Sequence, residues 1–336
     1  MTDLVSVIIP AYNSEQWIAE TLESVSSQTY SNLEVIVVDD GSSDGTAEIV
    51  ENHHDPRVRL VKQSNAGACA ARNRALAEAS GGFIQFLDAD DLLSPDKIER
   101  QVGLLKDSPP GCLAVCSTVY FDDGTDPKQG LFSPGYPELN SDYPLQWLLD
   151  LWTPGPGYCT TRWGMVQTAA WLVPREVAER AGLWDPLITQ DQDGEYFTRV
   201  LLASAGVRWE PEGRVYYRKF TKGASVSGGR SENHLRGRLR AVDAKARNVL
   251  PRTTDTNRSQ AKAVLARQYM DIAYHAYPEH AELSREAEDR AEALGGYAMR
   301  FFEDTRLKHI ERIAGWKAAR RVSYRYRRLI DVRSHS

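Results

Sequence analysis
The N-terminal third of the chain alternates short runs of β-branched and apolar residues with polar loops and segments of helical spacing. Val5-Ser6-Val7-Ile8-Ile9 stops at Pro10, and Val35-Ile36-Val37-Val38 runs into Asp39-Asp40-Gly41-Ser42-Ser43-Asp44-Gly45. Val58-Arg59-Leu60-Val61 precedes Asn65-Ala66-Gly67, and Phe83-Ile84-Gln85-Phe86-Leu87 ends at Asp88-Ala89-Asp90-Asp91. Between the first two runs, Trp17, Ile18, Thr21, Leu22 and Val25 recur on one helical face. Asn13 and Ser14 are placed to cap that helix, with Gln16 at capping-box spacing from Asn13. Further helices are predicted from Thr46 to Asn52, from Ala68 to Ala79, and after Ser94-Pro95, where a cap precedes a proline. Strands alternating with helices predict an α/β fold, a mostly parallel central sheet flanked by helices. The carboxyl ends of such strands gather their loops on one edge, where ligands bind, so the polar loops after Ile9, Val38 and Leu87 are expected side by side.

Beyond this region the pattern changes. Residues 108–145 are rich in Gly, Pro and Asp around a short apolar run, Leu113 to Cys116, and predict loops around further strands. Trp171-Leu172-Val173-Pro174, Ala181 to Asp185 and Asp191 to Ala203 form a second cluster of mixed polarity. From Ser231 helical composition dominates, broken at Pro251, Pro278 and Gly295-Gly296. Three parts are expected: 1–110, 111–230, and a helical C-terminal extension over 231–336.

Composition narrows the class. With 42% apolar and 26% charged residues in 336, the chain reads as an ordinary globular protein rather than a collagenous, disordered or disulfide-stapled one. The formal net charge of −5 carries no signature of nucleic-acid binding. The balance hides an asymmetry, however: ten basic and two acidic residues follow position 305, so a tail of +8 hangs on a body of −13. Ile310, Ile313, Trp316, Val322 and Tyr324 are interleaved with those cations, a composition suited to an anionic lipid surface. No apolar run approaches the roughly 18 residues a membrane span needs, and Met1 to Pro10 lacks a signal peptide's features. The expectation is a cytoplasmic protein, peripheral on the inner membrane face if the tail engages lipid. Cys69, Cys112, Cys116 and Cys159 do not form a disulfide framework or a zinc ribbon and are expected in the core.

The candidate chemistry lies at the strand ends. Asp88-Ala89-Asp90 sets two carboxylates two residues apart just past a buried strand. Mg2+ or Mn2+ takes one or two such ligands and completes its shell with water and phosphate oxygens. Asp39 and Asp40 are acceptors suited to a nucleobase imide or ribose hydroxyl. Asn65, Gly67, Arg72 and Asn73 combine a close backbone approach with a cation able to face a phosphate.

In this order the blocks resemble the family 2 glycosyltransferases of the GT-A fold. The matching residues are Val7-Ile8-Ile9-Pro10-Ala11-Tyr12-Asn13, Val37 to Thr46, Asn65 to Asn73 and Phe86-Leu87-Asp88-Ala89-Asp90-Asp91. The resemblance implies that Pro10, Ala11, Tyr12, Asn13, Asp39 and Asp40 hold base and ribose, and that Asn65, Gly67 and Arg72 meet the donor. Asp88, Ala89 and Asp90 then lie at ribose, sugar and diphosphate, with Asp90 on Mn2+ or Mg2+ and Asp88 assisting. Family members are usually inverting, using a carboxylate as base. The family's Glu-Asp followed six residues later by Arg is matched by Asp193 and Arg199, which makes Asp193 the expected base and Asp191 its rival; Gln192 stands where the usual Glu would be. Arg218, Lys219 and Lys222 occupy the region where relatives carry a histidine, and Arg218 and Lys222 are candidates for a lid over the diphosphate. Arg162 and Trp163 are acceptor candidates by position. The implied function is transfer of a sugar from a nucleoside-diphosphate sugar, a UDP-sugar for preference, to a saccharide or lipid-linked hydroxyl in polysaccharide assembly. The alternatives are a sugar nucleotidyltransferase, which should carry a Gly-rich basic loop after the first strand, and a non-catalytic carbohydrate-binding relative.

Overall fold
The computed structural model describes residues 3–133, 139–153, 166–220, 231–296 and 304–333. Arg162, Trp163, Cys159 and Lys222 lie outside them. The chain forms two compact units, Met1–Pro186 with Gln192–Ser225, and Leu187–Asp191 with Val226–Ser336.

The first unit opens with repeated β–α units: β1 (Val5–Ala11), α1 (Ile18–Ser26), β2 (Leu33–Asp39), α2 (Thr46–Glu51), β3 (Val58–Lys62), α3 (Ala68–Glu78) and β4 (Phe83–Phe86). After these come β5 (Leu92–Leu93), α4 (Lys97–Lys106), β6 (Cys112–Asp122), β7 (Leu131–Ser133), α5 (Pro144–Trp152), β8 (Trp171–Pro174), α6 (Arg175–Ala181), α7 (Gln192–Ala203) and β9 (Gly206–Lys219). One sheet runs β3-β2-β1-β4-β8-β6-β9-β5, with β7 beside β6. Pairing is parallel across β3-β2-β1-β4, where each strand returns through a helix, as the strand–helix alternation predicts. Beyond β4 the sheet is mixed rather than mostly parallel: β8 and β5 pair antiparallel with their neighbours, and β6 with β9 is parallel. Long-range partners set those directions, and no periodicity within a strand records them.

The strands are continuous apolar runs because both faces are covered. Val5, Val7, Ile8, Ile9 and Val35 to Val38 are fully buried, and Ile18, Leu22 and Val25 bring the α1 stripe onto the sheet. Behind β4 an aromatic cluster closes the core: Trp184 stacks on Tyr196 at 4.0 Å, and Phe86 meets both edge-on. Cys69, Cys112 and Cys116 are buried, as expected. Asn13 and Ser14 do not cap α1, which begins only at Ile18. Asn13, at φ +48°, accepts the Ser43 amide on Oδ1 (2.8 Å), and the Ser14 amide donates to Thr46 Oγ1 (2.7 Å), so both tie the loop after β1 to the loop after β2.

The second unit is helical: α8 (Glu232–Val249), α9 (Arg258–Ala276), α10 (Ala281–Ala293) and α11 (Thr305–Arg333), the last kinked at Gly315. Its basic tail is partly docked. Arg320 is buried over the Tyr274 ring at 4.5 Å and donates to the Tyr277 carbonyl, and Lys317 pairs with Glu288. No helix among the described residues is long and apolar enough to cross a membrane.

Candidate active site
Register brings the predicted loops together. Ala11 lies beside Asp39 and Ile8 beside Phe86, so the chain leaves β1, β2 and β4 at one edge. Tyr12 follows β1 there with half its surface exposed, while Asp39 and Asp40 are buried. Both oxygens of Asp40 work within the chain: Oδ1 accepts Gln63 Nε2 (2.7 Å) and the Ala66 amide (2.9 Å), and Oδ2 accepts the Gly67 amide (2.8 Å). Asp39 Oδ1 accepts the Ser42 amide at 3.2 Å. The two carboxylates expected on the nucleoside are thus engaged within the chain, and Asp40 holds the loop that carries Asn65 and Gly67. Gly41 lets that loop approach: its φ is +76°, and a Cβ would lie 2.9 Å from the Asn65 nitrogen.

Arg72, buried on α3, sits above the Trp184 ring at 4.5 Å. Its Nη2 binds Asp88 Oδ1 at 2.7 Å, and its Nη1 reaches Gln192 Oε1 at 3.4 Å. Asn73 clamps the backbone of Trp184 through two hydrogen bonds of 2.8 Å. The guanidinium therefore joins the β4 loop to the first residue of α7, and Asp193 is the second residue of that helix.

Asp90 and Asp91 are crowded and dry. Burial first, and then the charge of Asp88, push the Asp90 carboxyl up to about 6. Burial and the neighbouring Asp90 and Asp88 hold Asp91 well above the usual carboxylate range, although its Oδ1 accepts the Arg218 amide at 3.0 Å. The Tyr217 phenol is raised too, by burial first and then by the charges of Asp91, Asp88, Asp90 and Asp193, so all four carboxylates act on one ring. Among the described residues no three His, Cys, Asp or Glu side chains converge as a metal cage. The donor set nonetheless fits a hard divalent cation that takes one or two carboxylates, because a positive charge would relieve the repulsion that raises Asp90.

Arg218 is not placed as a lid. Its side chain is buried, with Nε donating to the Asp90 carbonyl (2.9 Å), Nη1 to Asp123 (3.0 Å) and Nη2 to Glu20 (2.6 Å), and it lies 4.7 Å from the Phe121 ring. Anchoring to Glu20, Asp90, Phe121 and Asp123 makes it a brace for the Asp88–Asp91 loop. Arg199, which sets the six-residue interval to Asp193, pairs instead with Glu195 (2.7 and 2.8 Å) and the Leu183 and Ala181 carbonyls. Sequence reasoning missed Gln63, and it met Trp184 and Tyr217 only within the runs Ala181 to Asp185 and Val215 to Arg218, without a role for either side chain.

The glycosyl transferase family 2 model matches residues 6–171, just under half of the chain, which is similar to that family over this region. The E. coli UDP-Glc:alpha-D-GlcNAc-diphosphoundecaprenol beta-1,3-glucosyltransferase WfgD is 47% identical over 103 residues, 30% of this chain and 41% of that protein. The putative teichuronic acid biosynthesis glycosyltransferase TuaG of Bacillus subtilis is 37% identical over 134 residues, 39% of this chain and 53% of that one. The matched region thus spans about half or less of these relatives. In overall structure the chain is similar to S. aureus TarS 1-349 in complex with UDP-GlcNAc (TM-score 0.58, 17% identity, covering 91% of this chain and 95% of that). It is also similar to the mannosyltransferase PcManGT from Pyrobaculum calidifontis with GDP-Man and Mn2+ (TM-score 0.53, 20% identity, 95% and 83%). The fold is of the GT-A type, as the motifs imply.

Proposed function
We propose that the chain is a glycosyltransferase that moves a sugar from a UDP-sugar to a hydroxyl of a saccharide or lipid-linked acceptor, with inversion. The observation that carries this reading is the Arg72 bridge, which draws Asp88 and the start of α7 to one strand edge. Tyr12 and the floor over Asp39 and Asp40 receive the nucleoside, and the Asn65–Gly67 loop lies beside it. Asp90, with Asp88 assisting, holds Mn2+ or Mg2+. When bound, that ion neutralises the diphosphate and stabilises the charge that develops on it as a leaving group. Asp193 takes the proton from the acceptor hydroxyl, whose oxygen bonds to the anomeric carbon as the bond to the diphosphate breaks. Arg72 sits buried between the donor loop and α7, so the two halves of the reaction are oriented by one rigid cation. The lipid-linked acceptor in the name of the E. coli relative supports an acceptor of that kind here, approached at an anionic membrane surface through the basic residues of α11.

The test uses UDP and UDP-glucose with Mn2+. Asp193→Asn should lower turnover by 10²-fold or more, within the range for general bases, while UDP still binds within about twofold. Undiminished turnover would remove Asp193 from the mechanism, and absence of UDP binding by the unaltered protein would remove the donor reading.

A further inference from the structure
The segment Leu187–Asp191 belongs to the helical unit, and α8 is shaped to hold it. Gly237 faces it with no room for a side chain: a Cβ would overlap Thr189 Oγ1 and lie 3.0 Å from the Thr189 nitrogen and 3.2 Å from the Gln190 nitrogen. One turn earlier the Asn233 carbonyl accepts Thr189 Oγ1 (3.3 Å), and about one turn later Arg240 donates to the Leu187 carbonyl (3.2 Å). Ile188 packs in a buried cluster with Ala241 and Ala244. At the far end Lys245, only 4% exposed, sets Nζ against Asp191 Oδ2 at 2.5 Å, and Asp191 is held at a φ of +60°. Three turns of one helix therefore grip five consecutive residues, and the next two in the chain are Gln192 and Asp193.

A glycine weakens a helix interior relative to alanine, and a buried ion pair is weak evidence of stabilisation. Helix stability therefore explains neither Gly237 nor Lys245, whereas fixing the gripped segment explains both. We infer that α8 sets the place of the catalytic base, with Lys245 a positioning residue that acts through Asp191; the inference rests on the reading of Asp193 as that base. A general base works only within hydrogen-bond reach of the proton it takes, and a displacement of about 1 Å can cost roughly 100-fold in rate.

Lys245→Met, Lys245→Arg and Gly237→Ala, made in the full chain, test this by calorimetry with UDP and Mn2+ and by hydrolysis of UDP-glucose. Lys245→Met should lower kcat at least tenfold, with KM and the UDP Kd within twofold of the unaltered protein, and Lys245→Arg should restore most of the loss. Gly237→Ala should also lower kcat, although alanine favours the helix, and this variant decides the matter if Lys245→Met fails to fold. Either variant with kcat within twofold of the unaltered protein, or a fall in kcat matched by an equal loss of UDP affinity, overturns the inference. If Asp193→Asn is inactive while Lys245→Met and Gly237→Ala are fully active, this inference alone has failed. If Asp193→Asn is fully active, or the unaltered protein hydrolyses no UDP-glucose, the proposed function has failed and this inference with it.

Discussion
Asp90 shows how a residue's surroundings convert a common motif into a strained one. In the unfolded chain its carboxyl titrates near 3.9, whereas burial and Asp88 raise it to about 6 in the fold. Between about pH 4 and 6 the folded state keeps a proton that the unfolded state has released, so stability falls as pH rises through that window. Without divalent metal, Asp90→Asn is therefore expected to melt higher than the unaltered protein at pH 7.5. The gap in Tm should shrink as the pH is lowered from 6.5 to 4.5. Adding Mn2+ at pH 7.5 should raise the Tm of the unaltered protein and leave the variant where it was. A variant that melts lower in EDTA at pH 7.5 would contradict the burial cost. Arg218 gives the complementary lesson: as a cation in a loop-rich stretch it suggests a phosphate, but Glu20, Asp123 and the Asp90 carbonyl consume its donors.

Among the elements, the loops at the strand ends depend on one another more than on their own strands. Asp40 follows β2 but binds the amides of Ala66 and Gly67, and Asn13 follows β1 but binds Ser43. Gly41 is where this mutual support is most exposed to change. A side chain there must adopt a left-handed conformation, costing about 1–3 kcal/mol, and must also push the Asn65 nitrogen away. Gly41→Ala should lower Tm by several degrees and weaken UDP binding at least tenfold, measured by thermal shift and calorimetry. Gly67→Ala provides the contrast: its φ of +89° is equally costly, but a Cβ would meet nothing within 4 Å, so the penalty should be conformational only.

On the scale of the whole molecule, charge is sorted by unit and by purpose. The acidic edge of the sheet unit is a poor host for an anionic donor unless a cation joins it, which is the physical ground for the proposed metal. Arg320 and Lys317 are spent on Tyr274, Tyr277 and Glu288, while Arg306, Lys308, Arg312, Arg321 and Arg325 remain exposed near Ile313 and Val322. Each surface cation near an anionic bilayer contributes about 1 kcal/mol, screened by salt. Co-sedimentation with phosphatidylglycerol vesicles should be strong at low salt and lost near 0.5 M, and absent with phosphatidylcholine alone. Equal binding to both vesicle types would exclude an electrostatic tail.

The strand runs, the first four strand–helix units and the Asp88-Ala89-Asp90 pair were legible in the chain, because short-range periodicity and strand-end polarity are local properties. The polar loops after Ile9, Val38 and Leu87 leave β1, β2 and β4 at one edge, since parallel strands end together. Tertiary structure alone decided which of these polar groups face outward. Asp40 and Arg218 turned inward because distant amides, carbonyls and carboxylates claimed their hydrogen-bonding capacity. It also decided the antiparallel half of the sheet and the grip of α8 on Leu187–Asp191. Those arise from partners tens to hundreds of residues apart, and no local pattern encodes a contact at that separation.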